Sequence, residues 1–324
     1  MPELPEVETV RRMLQTHVVG RTVRAVRLSG LKLREPIPSG LPRGLKGRAI
    51  RGVSRLGKFL IFELEGGVSL LSHLGMSGRW LFSEGERDEP LPHVHARIAF
   101  ADGSRLRFQD PRRFGLLRLV RAERLARDRA IAALGPDPIA SPPTGEALAA
   151  RAQNLKLSVK NFLLDQKKIA GIGNIYASEI LHRARVDPRR RAGALGAAEW
   201  EAIAAEIGAV LNEAIARFGT TFSMYRTLWN EPGTYGDQWA LPLTRSETRT
   251  TVRQHPNGKG VGRGSDSAAE PGPQRHGGLA GKSLRRQHRT GETRFLLLET
   301  GACVGKAGGG HAGQSPSAAE AGDR

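Results

Sequence analysis

The chain begins Met1-Pro2-Glu3-Leu4-Pro5-Glu6-Val7-Glu8, and this stretch decides how the rest of the sequence is interpreted. Removal of Met1 would leave the secondary amine of Pro2 as the terminus, with the carboxylates of Glu3 and Glu6 close by. An α-amino group has a reference pKa of about 7.7 to 8.0, so part of it is unprotonated near neutral pH. Such an amine is a ready nucleophile that forms an iminium with an electrophilic carbon. The stretch therefore indicates Pro2 as a candidate nucleophile, Glu3 as its proton carrier and Glu6 as a second acid of the same site.

A helix is predicted directly after this terminus. From Glu6 onward, apolar residues recur at three-to-four spacing, and Gly20 offers a stop; the apolar positions are Val7, Val10, Met13 and Leu14. We therefore expect the candidate nucleophile to lie at the start of a packed helix.

The next hundred or so residues predict short strands separated by glycine-containing turns. The clearest strand candidates are Phe59–Leu64, Val68–Leu71, His95–Phe100 and Arg105–Phe108. Prolines then cluster between Leu134 and Thr144, and helix-forming residues dominate as far as Phe218. The predicted fold class is α+β, with an amino-terminal β-sandwich lobe at 1–133 that carries a flanking helix, a linker at 134–147 and an α-helical lobe at 148–238.

Charge indicates a polyanionic partner. The 324 residues include 50 Lys plus Arg against 32 Asp plus Glu, which gives a formal charge of +18. Nucleic acid is the default partner for such a surface, although a ribosomal protein or an anionic membrane surface would also suit it. No apolar run approaches the roughly 20 residues of a membrane span, and no signal peptide is expected. The single Cys303 excludes an intramolecular disulfide, so we expect a cytoplasmic protein.

Three motifs in the predicted β lobe combine basic residues with apolar side chains. They are Ser54-Arg55-Leu56-Gly57-Lys58-Phe59, Ser72-His73-Leu74-Gly75-Met76-Ser77-Gly78 and Asp110-Pro111-Arg112-Arg113-Phe114-Gly115. An enzyme that acts on a base within a duplex must extrude that base, at a cost of a few kcal/mol, and fill the gap that remains. An aromatic wedge and a guanidinium that bonds the orphaned partner base suit this task.

Together with the opening stretch, these motifs resemble the formamidopyrimidine-DNA glycosylase family, bifunctional enzymes that remove oxidised purines such as 8-oxoguanine from DNA. The resemblance is continuous to about Gly236. It implies that Pro2 attacks the sugar C1′, that Glu3 is the general acid and base, and that Lys58 contacts the phosphate beside the damaged nucleotide.

The same resemblance implies DNA-binding roles for the two loops. It assigns a phosphate contact to His73 and insertion into the vacated gap to Met76. On the second loop, Arg112 reads the opposite cytosine, Arg113 binds phosphate and Phe114 intercalates.

A third set of expectations falls in the helical lobe. The string from Lys160 to Glu179 contains Gly171-Ile172-Gly173-Asn174, whose glycines permit a tight turn before a helix. We expect the free amides at the start of that helix to form a phosphate seat, and Asn174 to be a helix cap, a DNA contact or both. The string resembles the family's helix-two-turns-helix DNA-binding element, which implies that Lys160 and Asn174 grip the damaged strand.

The segment after Phe218 resembles the start of a family loop that closes over the extruded purine. Small hydroxyl groups and a tyrosine suit a polar lesion pocket, so we assign Thr220, Thr221 and Tyr225 to its wall.

The tail at 239–324 departs from the family pattern. Bacterial members usually continue into a four-cysteine zinc finger, whereas this chain has one cysteine and scattered histidines, so we predict no metal and no other cofactor. Its Gly- and Arg-rich composition predicts disorder. Two origins remain open: a zincless hairpin around Arg289–Arg294, or a gene read out of frame.

The implied function is a base-excision repair glycosylase and AP lyase that uses a Pro2 Schiff base and β,δ-elimination on double-stranded DNA, acting as a monomer. One alternative is an oxidised-pyrimidine glycosylase of the endonuclease VIII type, although those enzymes usually have Gly where this chain has Leu4. Another is a damaged-DNA-binding protein without turnover.

Overall fold

The first element is helix α1, Leu4–Val18, which confirms the helix expected after the opening stretch. It starts two residues earlier than Glu6, because Pro5 is tolerated in the first helical turn, where its missing N–H costs no intrahelical bond. The backbone N–H of Glu3 donates to Glu6 Oε2 at 2.8 Å. Glu6, the third residue of the helix, thereby forms a capping box with Glu3. The structure is a computed structural model, and it describes residues 2–85, 90–220, 227–228 and 234–235.

Eight antiparallel strands follow and form two sheets of four strands, as expected for a sandwich. The strands are β1 Val23–Leu28, β2 Ile50–Leu56, β3 Phe59–Leu64, β4 Val68–His73, β5 Arg79–Ser83, β6 Val94–Phe100, β7 Arg105–Gln109 and β8 Leu116–Arg121. One sheet has the order β1-β6-β7-β5 and the other β2-β3-β4-β8. The short helix α2, Leu41–Leu45, connects them between β1 and β2.

Aromatic side chains join the two sheets. Trp80 of β5 packs against Phe62 of the other sheet with ring centroids 5.3 Å apart, and against Phe108 of β7 at 5.0 Å. The indole of Trp80 is 1% exposed, and its Nε1 donates to Ser72 Oγ of β4 at 3.1 Å. The buried indole N–H of Trp80 therefore has a hydrogen-bond partner within the sandwich core.

The second lobe is helical. After a 3-10 turn at Ala122–Arg127, its helices are α3 Arg129–Ala132, α4 Gly145–Ala152, α5 Val159–Leu164, α6 Asn174–Arg183 and α7 Ala197–Ala216, with a second 3-10 turn at Ala192–Ala194 before α7. Its core centres on Trp200 and Phe162, whose rings are 5.1 Å apart.

Helix α1 belongs to both cores. Leu4 packs in the helical core, whereas Val7, Val10 and Leu14 pack in the sandwich core. The candidate catalytic terminus is thereby fixed where the two lobes meet.

The proline-rich segment at 134–147 is held by backbone hydrogen bonds. Gly135 N donates to Gln166 O at 2.8 Å, and Ala170 N donates to Pro136 O at 2.9 Å. Asp137 in this segment is only 4% exposed. In the part of the chain that the structure describes, no helix is long and apolar enough to cross a membrane. The predicted tail at 239–324 lies outside the described residues.

Candidate active site

The amino terminus is attached to the start of helix α6 by the side chain of Glu3. Its carboxylate accepts from the amides of Gly173 at 2.8 Å, Ile175 at 3.0 Å and Tyr176 at 3.4 Å. Leu4 N donates to Gly171 O at 3.0 Å. Glu3 is 2% exposed and Pro2 is also buried. A carboxylate near the amino terminus of the chain thus caps α6. A negative charge interacts favourably with the amino end of a helix.

This arrangement corrects the expectation of a phosphate seat. The amides of Gly173, Ile175 and Tyr176 donate to Glu3, so they are not open to a phosphate. Asn174 is not the cap either, since Gly173 occupies that position and Asn174 is the first helical residue. Asn174 is exposed, and its contact with DNA stays a prediction.

Two glycines make room for the contact between the amino terminus and the start of α6. Gly171 has φ of +96°, and a Cβ there would come within 2.6 Å of Leu4 Cδ1. A Cβ on Gly173 would overlap the carboxyl group of Glu3. The Gly-Ile-Gly sequence is therefore required for close approach of the amino terminus as well as for a turn.

Glu6 lies in a second buried set of hydrogen bonds. Its Oε1 accepts from the hydroxyl of Tyr176 at 2.5 Å and from Thr220 N at 2.8 Å. The Tyr176 hydroxyl is also 3.3 Å from Thr220 Oγ1. Glu6 and Thr220 are 1% and 3% exposed, so the segment after helix α7 is held directly against the start of helix α1.

Lys58 lies on the turn between β2 and β3, opposite these acids. The turn is fixed by Asp137, whose Oδ2 accepts from Gly57 N at 2.8 Å, and by Arg55, whose Nη1 donates to Gly57 O at 3.0 Å. Gly57 has φ of +56°, and a Cβ there would lie 3.1 Å from Ala170 Cβ. Lys58 is 7% exposed. The buried ammonium therefore faces the same interlobe region as the carboxylates.

Burial and mutual attraction act in opposite directions on these groups. Burial raises the pKa of Glu3, while Lys58 and the amides of α6 oppose the rise. Burial also raises the pKa of Glu6, to about 7, against the hydrogen bonds from Thr220 and Tyr176. The pKa of Lys58 is lowered by burial and supported by the negative charges of Glu3 and Glu6. Such displaced values in one cluster are typical of proton-transfer sites.

The two predicted DNA-binding loops are joined to each other. Asp110, fully buried, accepts from Ser77 Oγ at 2.5 Å and from Gly115 N at 2.7 Å, and Ser77 Oγ in turn accepts from Arg112 N at 3.1 Å. Gly75 has φ of +63°, and a Cβ there would overlap the backbone of Phe114. The loops therefore form one rigid platform.

This platform exposes the side chains that are predicted to contact DNA. Met76 and Phe114 are 37% and 45% exposed, although both are large and apolar. The guanidinium of Arg112 lies 5.0 Å from the centroid of the Phe114 ring, and Arg113 adopts a left-handed φ of 58°. Exposed apolar side chains beside arginines are suited to insertion between bases.

His73, at the end of β4, is held in one tautomer. Its Nδ1 accepts from Gly75 N at 2.9 Å, so the ring proton is on Nε2 when the imidazole is neutral. Burial lowers its pKa to about 4, with further contributions from the positive charges of Lys58 and Arg34. A neutral N–H donor is thereby available at neutral pH.

Lys160 lies away from this cluster, in the second residue of α5, where it lines an open groove of about 870 Å³ with His182, Arg185 and Arg189. The structure places Thr220 at the site, as described above, whereas Thr221 and Tyr225 lie outside the described residues. Among the residues that the structure does describe, no three His, Cys, Asp or Glu side chains form a group that could hold a metal ion. The absence of zinc therefore stays a prediction, resting on the single Cys303 of the sequence.

Sequence reasoning missed the residues that hold the site together. Tyr176 and Asp110 lie within the sequence motifs and Asp137 lies within the predicted linker, but the sequence pattern assigns none of them a role. The one available signal was an acidic residue inside an otherwise basic loop or a proline-rich segment, where a carboxylate often accepts backbone N–H groups.

Two buried carboxylates beside the amino terminus, together with a platform of exposed arginine, methionine and phenylalanine, are the features expected of an enzyme that acts on nucleic acid. Comparison with known proteins makes the class specific. Residues 1–117 match the family model of the formamidopyrimidine-DNA glycosylase N-terminal domain, and residues 134–226 match that of the formamidopyrimidine-DNA glycosylase H2TH domain.

Curated relatives agree with the family models. The formamidopyrimidine-DNA glycosylase of Paracoccus denitrificans is 45% identical over 240 residues, which cover 72% of this chain and 85% of the relative. That of Xanthomonas axonopodis pv. citri is 43% identical over 233 residues, with the same coverage. The chain belongs to the formamidopyrimidine-DNA glycosylase family, and it is a bifunctional DNA glycosylase and AP lyase of base-excision repair.

Solved structures show the same fold bound to DNA. A Lactococcus lactis FPG mutant in complex with Fapy-dG-containing DNA is 29% identical with a TM-score of 0.65, and the match covers 73% of this chain and 86% of that one. The Lactococcus lactis Fpg with abasic-site DNA is 28% identical with a TM-score of 0.65, covering 72% and 85%. A complex of the wild-type protein with DNA containing an oxidised pyrimidine is 28% identical with a TM-score of 0.64, covering 73% and 86%.

Proposed function

We propose that the substrates are oxidised purines, 8-oxoguanine and formamidopyrimidines, in duplex DNA, and that Pro2 is the nucleophile after removal of Met1. The observation that carries this proposal is the attachment of Glu3 to the start of helix α6, directly after the buried Pro2 and with Lys58 as the countercharge. The amine attacks C1′ of the damaged nucleotide, and the base leaves with a proton.

Opening of the sugar then yields an iminium between Pro2 and C1′, with O4′ protonated. Loss of a proton from C2′ expels the 3′-phosphate by β-elimination, and a second elimination expels the 5′-phosphate. Each step moves a proton at a buried acid, which is the role we propose for Glu3. The chain's own side chains supply every group in this scheme, so we propose that no metal or organic cofactor takes part.

The remaining residues bind and position the duplex in this proposal. Lys58 and His73 hold the phosphates near the lesion, Lys160 and Asn174 hold the backbone of the damaged strand, and Arg113 binds phosphate. Met76 and Phe114 fill the gap, and Arg112 pairs with the orphaned cytosine. The exposure of Met76 and Phe114 supports this assignment, because burying them in the free protein would have been favourable.

Oxidised pyrimidines are a second candidate substrate, favoured by the relative that was solved with such DNA. Duplexes that carry 8-oxoguanine, thymine glycol or an abasic site discriminate between the two. We expect the protein to release 8-oxoguanine faster than thymine glycol. The abasic duplex should be cleaved whichever kind of base the enzyme prefers.

Borohydride reduction tests the covalent step. We expect it to trap a complex of the protein with 8-oxoguanine or abasic DNA, because it reduces the iminium to a stable amine. Efficient trapping by a chain that retains Met1 would refute Pro2 as the nucleophile, because the Pro2 nitrogen is then part of a peptide bond.

A further inference from the structure

Helix α7 ends in a Schellman motif with an unusual residue at its left-handed position. Phe218 N donates to Ile215 O at 3.2 Å, and Gly219 N donates to Ala214 O at 2.8 Å, which are the two hydrogen bonds of that motif. Phe218 has φ of 59°. Glycine usually occupies this position, because a Cβ in the left-handed region clashes with its own backbone.

The ring of Phe218 does not recover this cost by packing. It is 53% exposed and belongs to none of the hydrophobic clusters, whereas Leu211 and Ile215 of the same helix are buried. Within the described ranges it makes no ring stacking or cation–π contact. A bulky residue with positive φ and an exposed ring is a strained feature of the kind that clusters at functional sites.

The position of Phe218 connects it to the catalytic terminus. Thr220 N, two residues on, donates to Glu6 Oε1 at 2.8 Å. A Cβ on Gly219 would lie 2.8 Å from the same oxygen. Since Glu6 also accepts from the N–H of Glu3, the backbone that carries the Phe218 ring is fixed directly against the reacting groups.

We propose that Phe218 is the stacking surface for the extruded base, which rests on the function proposed above. A planar oxidised purine that leaves the duplex loses its stacking on both faces, and an exposed phenyl ring at the edge of the site replaces it on one. Base–aromatic stacking needs no polar group and no particular base edge, so a phenylalanine serves where hydrogen bonding is done by other residues. The ring holds the base while its bond to C1′ breaks, and it has no partner once the base has left.

The test compares Phe218→Gly with Phe218→Tyr and with a matched control, Leu31→Ala. Leu31 is also 53% exposed and lies outside the catalytic cluster, beyond the end of β1. Two single-turnover rates are measured on each protein: release of 8-oxoguanine from duplex DNA, and cleavage of a preformed abasic duplex. A thermal melt accompanies each.

We expect Phe218→Gly to melt no lower than the parent, because glycine relieves the backbone strain, and to release base roughly tenfold or more slowly. Its cleavage of abasic DNA should stay at the parent rate. Phe218→Tyr should restore base release, and Leu31→Ala should leave both rates unchanged.

Wild-type base release by Phe218→Gly would overturn the proposal, as would an equal loss of both activities, which would indicate a role in DNA grip or folding. Failure of the parent protein to cleave abasic DNA would instead contradict the proposed function, so the two failures are distinguishable.

Discussion

Glu3 combines two tasks in one carboxylate. It accepts three amides at the start of α6, and it lies beside the proposed nucleophile. The hydrogen bonds favour its ionised form and burial favours its neutral form, and burial is the larger effect on its pKa. Because burial is the larger effect, it moves the pKa of Glu3 toward the neutral pH at which the group would exchange protons.

Glu3→Gln should separate these tasks. The amide keeps an oxygen that accepts hydrogen bonds but does not transfer protons, so we expect base release to fall by about 10²- to 10⁴-fold. Glu3→Ala removes the cap as well and should cost a further 1 to 2 kcal/mol, approximately, in the free energy of unfolding. Single-turnover kinetics and urea unfolding measure the two effects. Unchanged base release by Glu3→Gln would exclude Glu3 as the proton carrier.

His73 predicts a pH dependence of stability. Its pKa is about 4 in the folded chain and about 6.5 in an unfolded one. Between these values the unfolded state binds more protons, so the free energy of unfolding falls as the pH falls from about 6.5 toward 4. The loss attributable to His73 should be roughly 3 kcal/mol, since each pKa unit corresponds to about 1.4 kcal/mol. Urea unfolding at a series of pH values should show a flatter profile for His73→Asn, and parallel profiles would contradict the assignment.

Among the elements, the sequence predicts bounds for four of the eight strands in the described residues, each within two residues, and it predicts the junctions between elements poorly. The predicted bounds of Phe59–Leu64 agree with β3, because apolar content and flanking glycines act locally. The cap of α6 was missed because its partner lies 170 positions away from Gly173, and local patterns do not pair such residues. The structural role of Asp110 is not predictable from local sequence for the same reason, since it depends on a hydrogen bond from Ser77, 33 positions earlier.

Gly173→Ala tests the junction between the amino terminus and α6. The added methyl group overlaps the carboxyl group of Glu3, so we expect base release to fall far more than stability does. Gly208→Ala is the matched control, since a Cβ there, within α7, meets nothing within 4 Å. That change should leave activity intact and add up to about 1 kcal/mol of stability. Kinetics and thermal melting give both readouts, and equal activity of the two variants would refute the close contact.

At the scale of the whole molecule, one buried ion-pair network joins α1, β2 and the segment at 134–147. Arg55 bonds Glu8 through Nε at 3.0 Å and pairs with Asp137, to which its Nη2 donates at 3.1 Å. The side chains of Arg55 and Asp137 are 5% and 2% exposed. The network therefore fixes the turn that carries Lys58 relative to helix α1.

Asp137→Ala should lower the free energy of unfolding by about 3 kcal/mol or more, because it leaves the buried guanidinium of Arg55 without one of its two carboxylates. Arg12→Ala removes a pair with Glu8 in which the arginine is 57% exposed. That control should change the free energy of unfolding by less than about 1 kcal/mol. Urea unfolding of both variants checks the difference, and similar losses would show that burial of the network is unimportant.

The most direct test of the account is to locate the bond between protein and DNA. Borohydride-trapped complexes with 8-oxoguanine duplex are digested and the adduct-bearing peptide is sequenced by mass spectrometry. We expect a reduced sugar on the nitrogen of Pro2, in a chain that has lost Met1. An adduct on a lysine such as Lys58, or an active chain that retains Met1, would contradict it.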